Sequence, residues 1–133
     1  MTGETTSLPV TWSYRRAILI VETVGNYGRD ELQRALAEAR ADPRFAPDTS
    51  VLFDGRLSEV DISTADVDWR VQFATALRAM GFSRRCAIVV RDKTVTYGMG
   101  RMLSLRLENE DMDVNVTRDF DEAMLWLMGR ATG

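Results

Sequence analysis

Short apolar runs and helix-like stripes alternate along the chain, and their spacing predicts most of its secondary structure. Two extended runs, at 10–13 and 17–22, are separated by three residues, which suits a β-hairpin. The second run is nearly all apolar, as expected of a strand covered on both faces. Residues 50–54 and 84–90 predict two further strands, and apolar-polar alternation over 112–116 predicts a half-exposed edge strand.

Four other stretches carry the spacing of an amphipathic helix. The first has apolar residues at i, i+3, i+4 and i+7, namely Leu32, Ala35, Leu36 and Ala39. The Asp-Pro pair at 42–43 ends this helix, because proline disfavours helical backbone at the preceding residue. Further helices are predicted to begin near Ser63, to cover 94–107, and to begin at Asp119, where Glu122 completes a capping-box-like pair. The buried stripe expected in the last helix is Phe120, Ala123, Met124 and Leu127.

The order of these elements predicts the fold class. Alternating strands and helices favour parallel strands joined by crossover helices, and the initial hairpin adds one antiparallel strand. We therefore predict an α/β fold with a mixed, mostly parallel four- to five-stranded sheet, an N-terminal β-hairpin and about four flanking helices. Residues 10–129 are expected to form a single domain, with a flexible segment at 1–9 and a tail at 130–133.

Charge and hydropathy narrow the classes of partner. The net charge of −3 provides no broad basic surface for phosphate backbones, so nucleic-acid binding is not expected. The polar first eight residues lack the basic and apolar regions of a secretory signal, and no apolar run approaches the roughly 20 residues that span a bilayer. We therefore expect a cytoplasmic protein without membrane insertion.

The residue types of common catalytic and metal sites are scarce. The chain has no histidine, which excludes Ser-His-Asp and Cys-His nucleophilic systems. Its one cysteine, Cys86, lies in an apolar run where a buried, inert thiol is expected, so zinc sites of the usual nitrogen and sulfur type are excluded. Gly98 and Gly100 lack the third glycine of a dinucleotide-binding fingerprint.

Carboxylates are the remaining candidates for acid-base or cation chemistry. Five of them lie close together in sequence, namely Asp54, Glu59, Asp61, Asp66 and Asp68. Their spacing is not that of a calcium-binding loop, so we interpret them as solvated loop and cap residues. We predict no catalytic residue, no cofactor, no metal site and no enzymatic activity.

Several local phrases carry a resemblance to a known family across residues 10–128. They are Val10-Thr11-Trp12, Val51-Leu52-Phe53-Asp54-Gly55-Arg56, Arg85-Cys86-Ala87-Ile88-Val89-Val90, Tyr97-Gly98-Met99-Gly100-Arg101-Met102, and Phe120-Asp121-Glu122-Ala123-Met124-Leu125-Trp126-Leu127. In this order and spacing they resemble the STAS domains, specifically the SpoIIAA-like or STAS/SEC14-like group of small bacterial proteins. The resemblance implies a four- or five-stranded mixed sheet flanked by helices and no established enzymatic activity.

The resemblance also implies a candidate phosphorylation site. In anti-sigma-factor antagonists, a serine at the start of the helix after the third strand is phosphorylated within an Asp-Ser-Ser-Gly phrase. The corresponding stretch here keeps an aspartate and two hydroxyls, Ser63 and Thr64, but inserts Ile62 and lacks the glycine. Capping of the helix by Ser63, with Asp66 three residues on, is the alternative explanation of the serine.

A candidate anion site follows from where strands end. In open α/β sheets, ligands collect beyond the carboxyl ends of the strands, where Arg56, Arg91 and Lys93 are expected. These cations, with the amides at the start of the helix near Ser63, suit an anion. Surface ion pairing is the alternative interpretation of the same residues.

The helix beginning near Ser63 carries two apolar stripes, and one sheet cannot cover both. Trp69, Phe73 and Met80 belong to the second stripe, a candidate surface for a partner protein, a homodimer or an apolar ligand. Burial of this stripe by a neighbouring helix or by the loop at 45–47 is the alternative. We therefore predict a binding or regulatory module that acts through protein–protein interaction, with a SEC14-like carrier of a small lipid-like ligand as the second hypothesis.

Overall fold

The computed structural model describes residues 8–58, 64–91, 98, 101–102, 105–106 and 112–129, and at 64–70 it describes the backbone alone. Its strands are β1 (Val10–Arg15), β2 (Ile18–Gly25), β3 (Thr49–Ser58), β4 (Phe82–Val89) and β5 (Asp113–Thr117). The helices with described bounds are α1 (Arg29–Ala41), α2 (Thr64–Ala79) and α3 (Phe120–Met128). None of the described helices is long and apolar enough to cross a membrane.

The strands form one five-stranded sheet in the order β1-β2-β3-β4-β5. β1 and β2 are antiparallel, whereas every other neighbouring pair is parallel. The predicted α/β class is confirmed, including the hairpin, the mostly parallel sheet and the edge position of the last strand. Three helices have described bounds instead of the four predicted, although the described residues within 98–106 are helical at Gly98, Arg101, Met102, Leu105 and Arg106.

The hairpin turn is tighter than the sequence predicted. β1 extends to Arg15, so only Arg16 and Ala17 separate the strands, and Arg15 pairs directly with Ile18. Both turn residues have positive φ, 53° and 63°, as a two-residue type I′ turn requires. Neither residue is a glycine, so this turn stores backbone strain of about 1 kcal/mol or more per residue.

One face of the sheet is covered by α1 and α2. The buried residues of α1 are the four predicted from spacing, and the helix ends at Ala41, directly before the predicted Asp-Pro stop. α1 packs over β1 and β2, while α2 packs over β4. Residues of both helices, including Leu36 of α1 and Leu77 of α2, meet in one core cluster with Phe82 of β4.

The described residues cover the opposite face only in part. α3 packs over β3, β4 and β5 through Ala123, Met124 and Leu127, as predicted from its spacing. Among the described residues, no helix lies over β1 on this face, and alternate residues of that strand are exposed. The sheet therefore presents an open area beside the first residue of α3.

β3 continues four residues beyond its predicted end. The sequence predicted that the strand would end at Asp54, but pairing with β2 continues through Val24–Leu57 and Gly25–Ser58 after an irregularity in register. Arg56 therefore lies within a strand and not in a loop. The Asp54 and Arg56 side chains contact each other on the open face of the sheet. The irregularity adds one β3 residue between Asp54 and Leu57, so Leu57 is the partner of Val24.

Candidate functional site

A groove of about 410 Å³ occupies the open area of the sheet. Its lining comes from β1, β2, β3 and the first residue of α3, and comprises Thr11, Trp12, Ser13, Arg15, Ile20, Glu22, Asp54, Arg56 and Phe120. A volume of this size lies within the range of small-molecule sites in proteins. The lining includes two cationic and two anionic side chains, so the groove is polar and its formal charges balance.

Strand register sets the order of the groove residues. Glu22 of β2 lies between Thr11 of β1 and Asp54 of β3 in one cross-strand row. The next row on the same face has Ser13 beside Ile20, and the last has Arg15 beside Ile18. The groove therefore runs from a carboxylate at Glu22, over small and apolar side chains, to the guanidinium-bearing residue Arg15.

Asp54 and Arg56 form a bidentate ion pair at the carboxylate end of the groove. Arg56 donates from Nε to Oδ1 at 2.9 Å and from Nη2 to Oδ2 at 2.8 Å, and its backbone N–H also donates to Oδ1 at 3.2 Å. The Asp54 side chain is 5% exposed and that of Arg56 is 46% exposed. These hydrogen bonds are the main cause that raises the pKa of Arg56, and the negative charges of Asp54, Glu22 and Asp121 add to it.

Phe120 forms the wall between the two arginines. The guanidinium of Arg56 lies 5.0 Å and that of Arg15 5.5 Å from the centroid of its ring, within the range of cation–π attraction. The ring is positioned by the start of α3, where Asp119 accepts from the N–H of Glu122 at 3.1 Å. The predicted cap is thus confirmed at Asp119, whereas Glu122 accepts from the Thr117 hydroxyl at 2.9 Å.

Arg15 and Glu22 are not held in an ion pair as Asp54 and Arg56 are. Within the described part of the chain, neither has an ion-pair partner within 4.0 Å. Arg15 is exposed and contacts the ring of Phe120, and Glu22 is partly exposed on the groove floor. The groove thus holds one satisfied pair of charges and one unpaired charge of each sign.

An exposed apolar pair lies beside the groove at the carboxyl ends of β2 and β3. Val24 follows Glu22 by two residues and so lies on the same face, and Leu57 is its cross-strand partner. The two residues are 37% and 59% exposed. Adjacent exposed apolar side chains are features of interaction surfaces.

Of the predicted anion-site residues that the structure describes, only Arg56 belongs to the lining of the groove. Arg56 lines the groove, but its guanidinium is engaged by Asp54. Arg91 follows the end of β4, is partly buried and does not belong to the groove lining. Lys93 lies outside the described residues, as does Ser63, while Thr64 is the first residue of α2. Anion binding by the three basic residues therefore stays a prediction, and so does phosphorylation at the start of α2.

The second stripe of α2 contributes to the core where its side chains are described. Phe73 lies edge-on to Phe53 of β3 with ring centroids 6.5 Å apart, and Met80 packs against the core cluster that α1 shares. The backbone carbonyl of Met80 also accepts from Nε of Arg40 on α1 at 2.6 Å. Trp69 lies in the backbone-only part of α2, so the surface proposed for it stays a prediction.

Of the nine groove residues, only Arg56 was predicted as a site residue. Asp54 was interpreted as a solvated carboxylate, which is wrong, because its side chain is 5% exposed. Phe120 was assigned to the buried stripe of the last helix, and Arg15 was assigned to the hairpin turn. Glu22 was the last residue of the second predicted strand, and no function was predicted for it. The strand spacing of Asp54 and Arg56 was the signal available in sequence, because residues two apart share a face. Their meeting with Arg15 and Phe120 depends on how the strands and α3 pack.

Cys86 is buried on β4. Burial raises the pKa of its thiol to about 12, so almost no thiolate forms near neutral pH. The predicted buried thiol is confirmed.

Comparison with known proteins identifies the fold. No family profile matches the chain, and no curated protein matches it. Among solved structures, the chain is similar to an uncharacterized protein of the DUF3478 family with a SpoIIAA-like fold from Shewanella loihica PV-4. The TM-score is 0.55 at 16% sequence identity, with 94% of this chain and 99% of the other covered. The chain therefore has a SpoIIAA-like fold, which confirms the resemblance inferred from sequence.

Proposed function

We propose that the chain is a non-enzymatic SpoIIAA-like binding module that docks a partner protein on the open half of its sheet. The observation that carries this proposal is the exposed Val24–Leu57 pair on a face that α3 leaves uncovered. Apolar side chains at the centre of a contact, surrounded by polar ones, are the usual anatomy of an interface. Here the polar surround is supplied by Glu22 and Arg56.

The chemistry of the groove supports binding over catalysis. Both oxygens of Asp54 accept hydrogen bonds from Arg56, so this carboxylate is a structural partner and not an available general base. The chain contains no histidine to serve in its place. The groove is also open and mainly polar, which does not suit the enclosed apolar space that a lipid-like ligand requires.

A phosphate at Ser63 or Thr64 would regulate the same end of the sheet. β3 ends at Ser58 and α2 begins at Thr64, so only five residues separate the end of the strand from the start of the helix. Phosphorylation would add about two negative charges there. Intact mass after expression with the native kinases tests this switch, and a chain that never carries phosphate at either hydroxyl would remove it.

The docking proposal is tested by site-specific crosslinking followed by affinity measurement. A photoreactive phenylalanine analogue at Ser13 on the open face, compared with one at Gln72 on the exposed side of α2, should capture a protein from the native cytosol only at Ser13. The captured protein is then purified. Leu57→Asp should weaken its binding by about tenfold or more, because a buried carboxylate without a partner costs at least 1 to 3 kcal/mol.

Leu125 supplies the matched control, because it is a leucine of similar exposure, 65%, on the outer side of α3. Leu125→Asp should leave the affinity unchanged. Equal affinities for the wild type and Leu57→Asp, or an equal loss in both variants, would reject docking on the open face.

A further inference from the structure

The charges of the groove suit a ligand that carries both signs. Asp54 and Arg56 bind each other through two side-chain hydrogen bonds, and the Arg56 guanidinium is also within the electrostatic reach of Glu22. Arg15 and Glu22, which have no ion-pair partner among the described residues, remain as one cationic and one anionic group in the same groove. A purely anionic ligand would be attracted by Arg15 but repelled by Glu22. A purely cationic ligand would be attracted by Glu22 but repelled by Arg15.

Strand geometry sets the spacing between these two groups. Arg15 lies opposite Ile18, which is four residues before Glu22 on β2, a distance of about 13 Å along the strand. The Arg15 side chain shortens this separation, because its guanidinium lies over Phe120, whose ring is also contacted by Arg56 near the row of Glu22. This arrangement favours a ligand whose opposite charges are several ångströms apart, farther than in an α-amino acid.

We propose that the groove binds a small amphoteric molecule whose carboxylate is held by Arg15 and whose ammonium group is held by Glu22. The guanidinium fork pairs well with a carboxylate, and its position over the Phe120 ring orients it before the ligand arrives. The methylene chain between the two ligand charges would lie over Ile20. The hydroxyls of Thr11 and Ser13 line the rim nearest the β1 edge.

The proposal concerns a small molecule because the site is a concave groove of about 410 Å³. It does not rest on protein docking, which uses the adjacent Val24–Leu57 pair. The docking surface would share Ser13, Glu22 and Arg56 with the groove, but the two proposals are tested separately. Leu57 is outside the groove lining, and Arg15 pairs with Ile18, six residues before the partner of Leu57 on β2.

A series of ω-amino acids tests the spacing. The uniformly 15N-labelled full chain is titrated with glycine, 4-aminobutyrate and 6-aminohexanoate, and amide shifts are followed by NMR. Hexanoate, hexylamine and inorganic phosphate are the single-charge controls. We expect the amides of Thr11, Ser13, Glu22 and Arg56 to respond, with 6-aminohexanoate binding about tenfold more tightly than hexanoate or hexylamine. Glycine should be the weakest of the amino acids.

Two substitutions assign the ends of the ligand. Arg15→Gln should reduce the affinity for 6-aminohexanoate to that of hexylamine and leave hexylamine binding unchanged. Glu22→Gln should reduce it to that of hexanoate and leave hexanoate binding unchanged. Arg78→Gln, at an exposed arginine in the last turn of α2, is the control and should change neither.

The titration has clear negative outcomes. No saturable shift with any ω-amino acid would overturn the proposal, as would equal affinities for hexanoate and 6-aminohexanoate. Phosphate binding that depends on Arg15 but is unaffected by Glu22→Gln would show a plain anion site instead. The amide spectrum of each variant reports whether it is folded. If Arg15→Gln disturbs the hairpin, Arg15→Lys is the second variant, because it keeps the positive charge and removes the guanidinium fork.

Discussion

The Asp54–Arg56 pair makes a prediction that depends on the unequal burial of its two members. The carboxylate is 5% exposed, whereas the guanidinium is 46% exposed. Arg56→Ala leaves a buried negative charge that keeps only one backbone hydrogen bond, if the main chain holds its position. Asp54→Ala leaves a half-exposed guanidinium that water can solvate. The arginine substitution should therefore destabilise the protein more than the aspartate substitution.

The magnitudes follow from these exposures. Breaking a fully buried pair costs about 3 to 5 kcal/mol, but water in the open groove reduces this to roughly 3 kcal/mol for Arg56→Ala. Asp54→Ala should cost about 1.5 kcal/mol, because the remaining guanidinium is screened by solvent. Removing both side chains leaves no buried charge, so the double variant should be more stable than Arg56→Ala alone by about 1 kcal/mol.

Urea unfolding followed by tryptophan fluorescence measures these differences at neutral pH. Asp42 and Arg44 provide the matched control, since they form the same bidentate i, i+2 pair with a backbone hydrogen bond at the protein surface. That pair should show a small effect and no rescue in its double variant. A double variant of the groove pair that is less stable than Arg56→Ala would refute our view that Arg56 neutralises a buried carboxylate.

Three further predictions concern the turn, the surface pair and the thiol. Ala17→Gly should stabilise the protein by about 0.5 to 1 kcal/mol, because glycine adopts the observed φ of 63° without strain. The control Ala76→Gly, on the exposed face of α2, should destabilise the protein by about 1 kcal/mol. Chemical unfolding measures both variants, and a destabilised Ala17→Gly would contradict the turn geometry. The side-chain hydrogen bond from Arg44 lowers the pKa of Asp42 from 3.8 to about 2, so the stability that this carboxylate contributes is complete above its ordinary pKa and is lost as pH falls towards 2. The difference in urea midpoint between the wild type and Asp42→Asn should therefore shrink as pH falls across that interval. A difference that is constant with pH would argue against the ion pair. Cys86, with its pKa raised to about 12, should react with a disulfide reagent at pH 8 only after urea unfolds the chain, and rapid labelling of the folded protein would contradict its burial.

Sequence alone determined the features that depend on neighbouring residues. The four buried residues of α1 follow from spacing, because an amphipathic helix must turn one stripe to the core wherever it packs. The Asp119 cap is likewise a local hydrogen bond between residues three apart. The alternation of strands with helices was enough to predict the mostly parallel sheet, since parallel strands need crossover connections.

Tertiary structure decided the features that depend on distant residues. β3 extends past Asp54 because β2 offers pairing partners as far as Gly25, which the composition of β3 does not reveal. Phe73 is partly buried because α1 and α2 share one face of the sheet. Arg15 and Phe120 are 105 positions apart in sequence, and only the placement of α3 over one half of the sheet brings them into one groove. Local spacing fixes which side of each element is apolar, whereas the uncovered surface depends on which elements pack together.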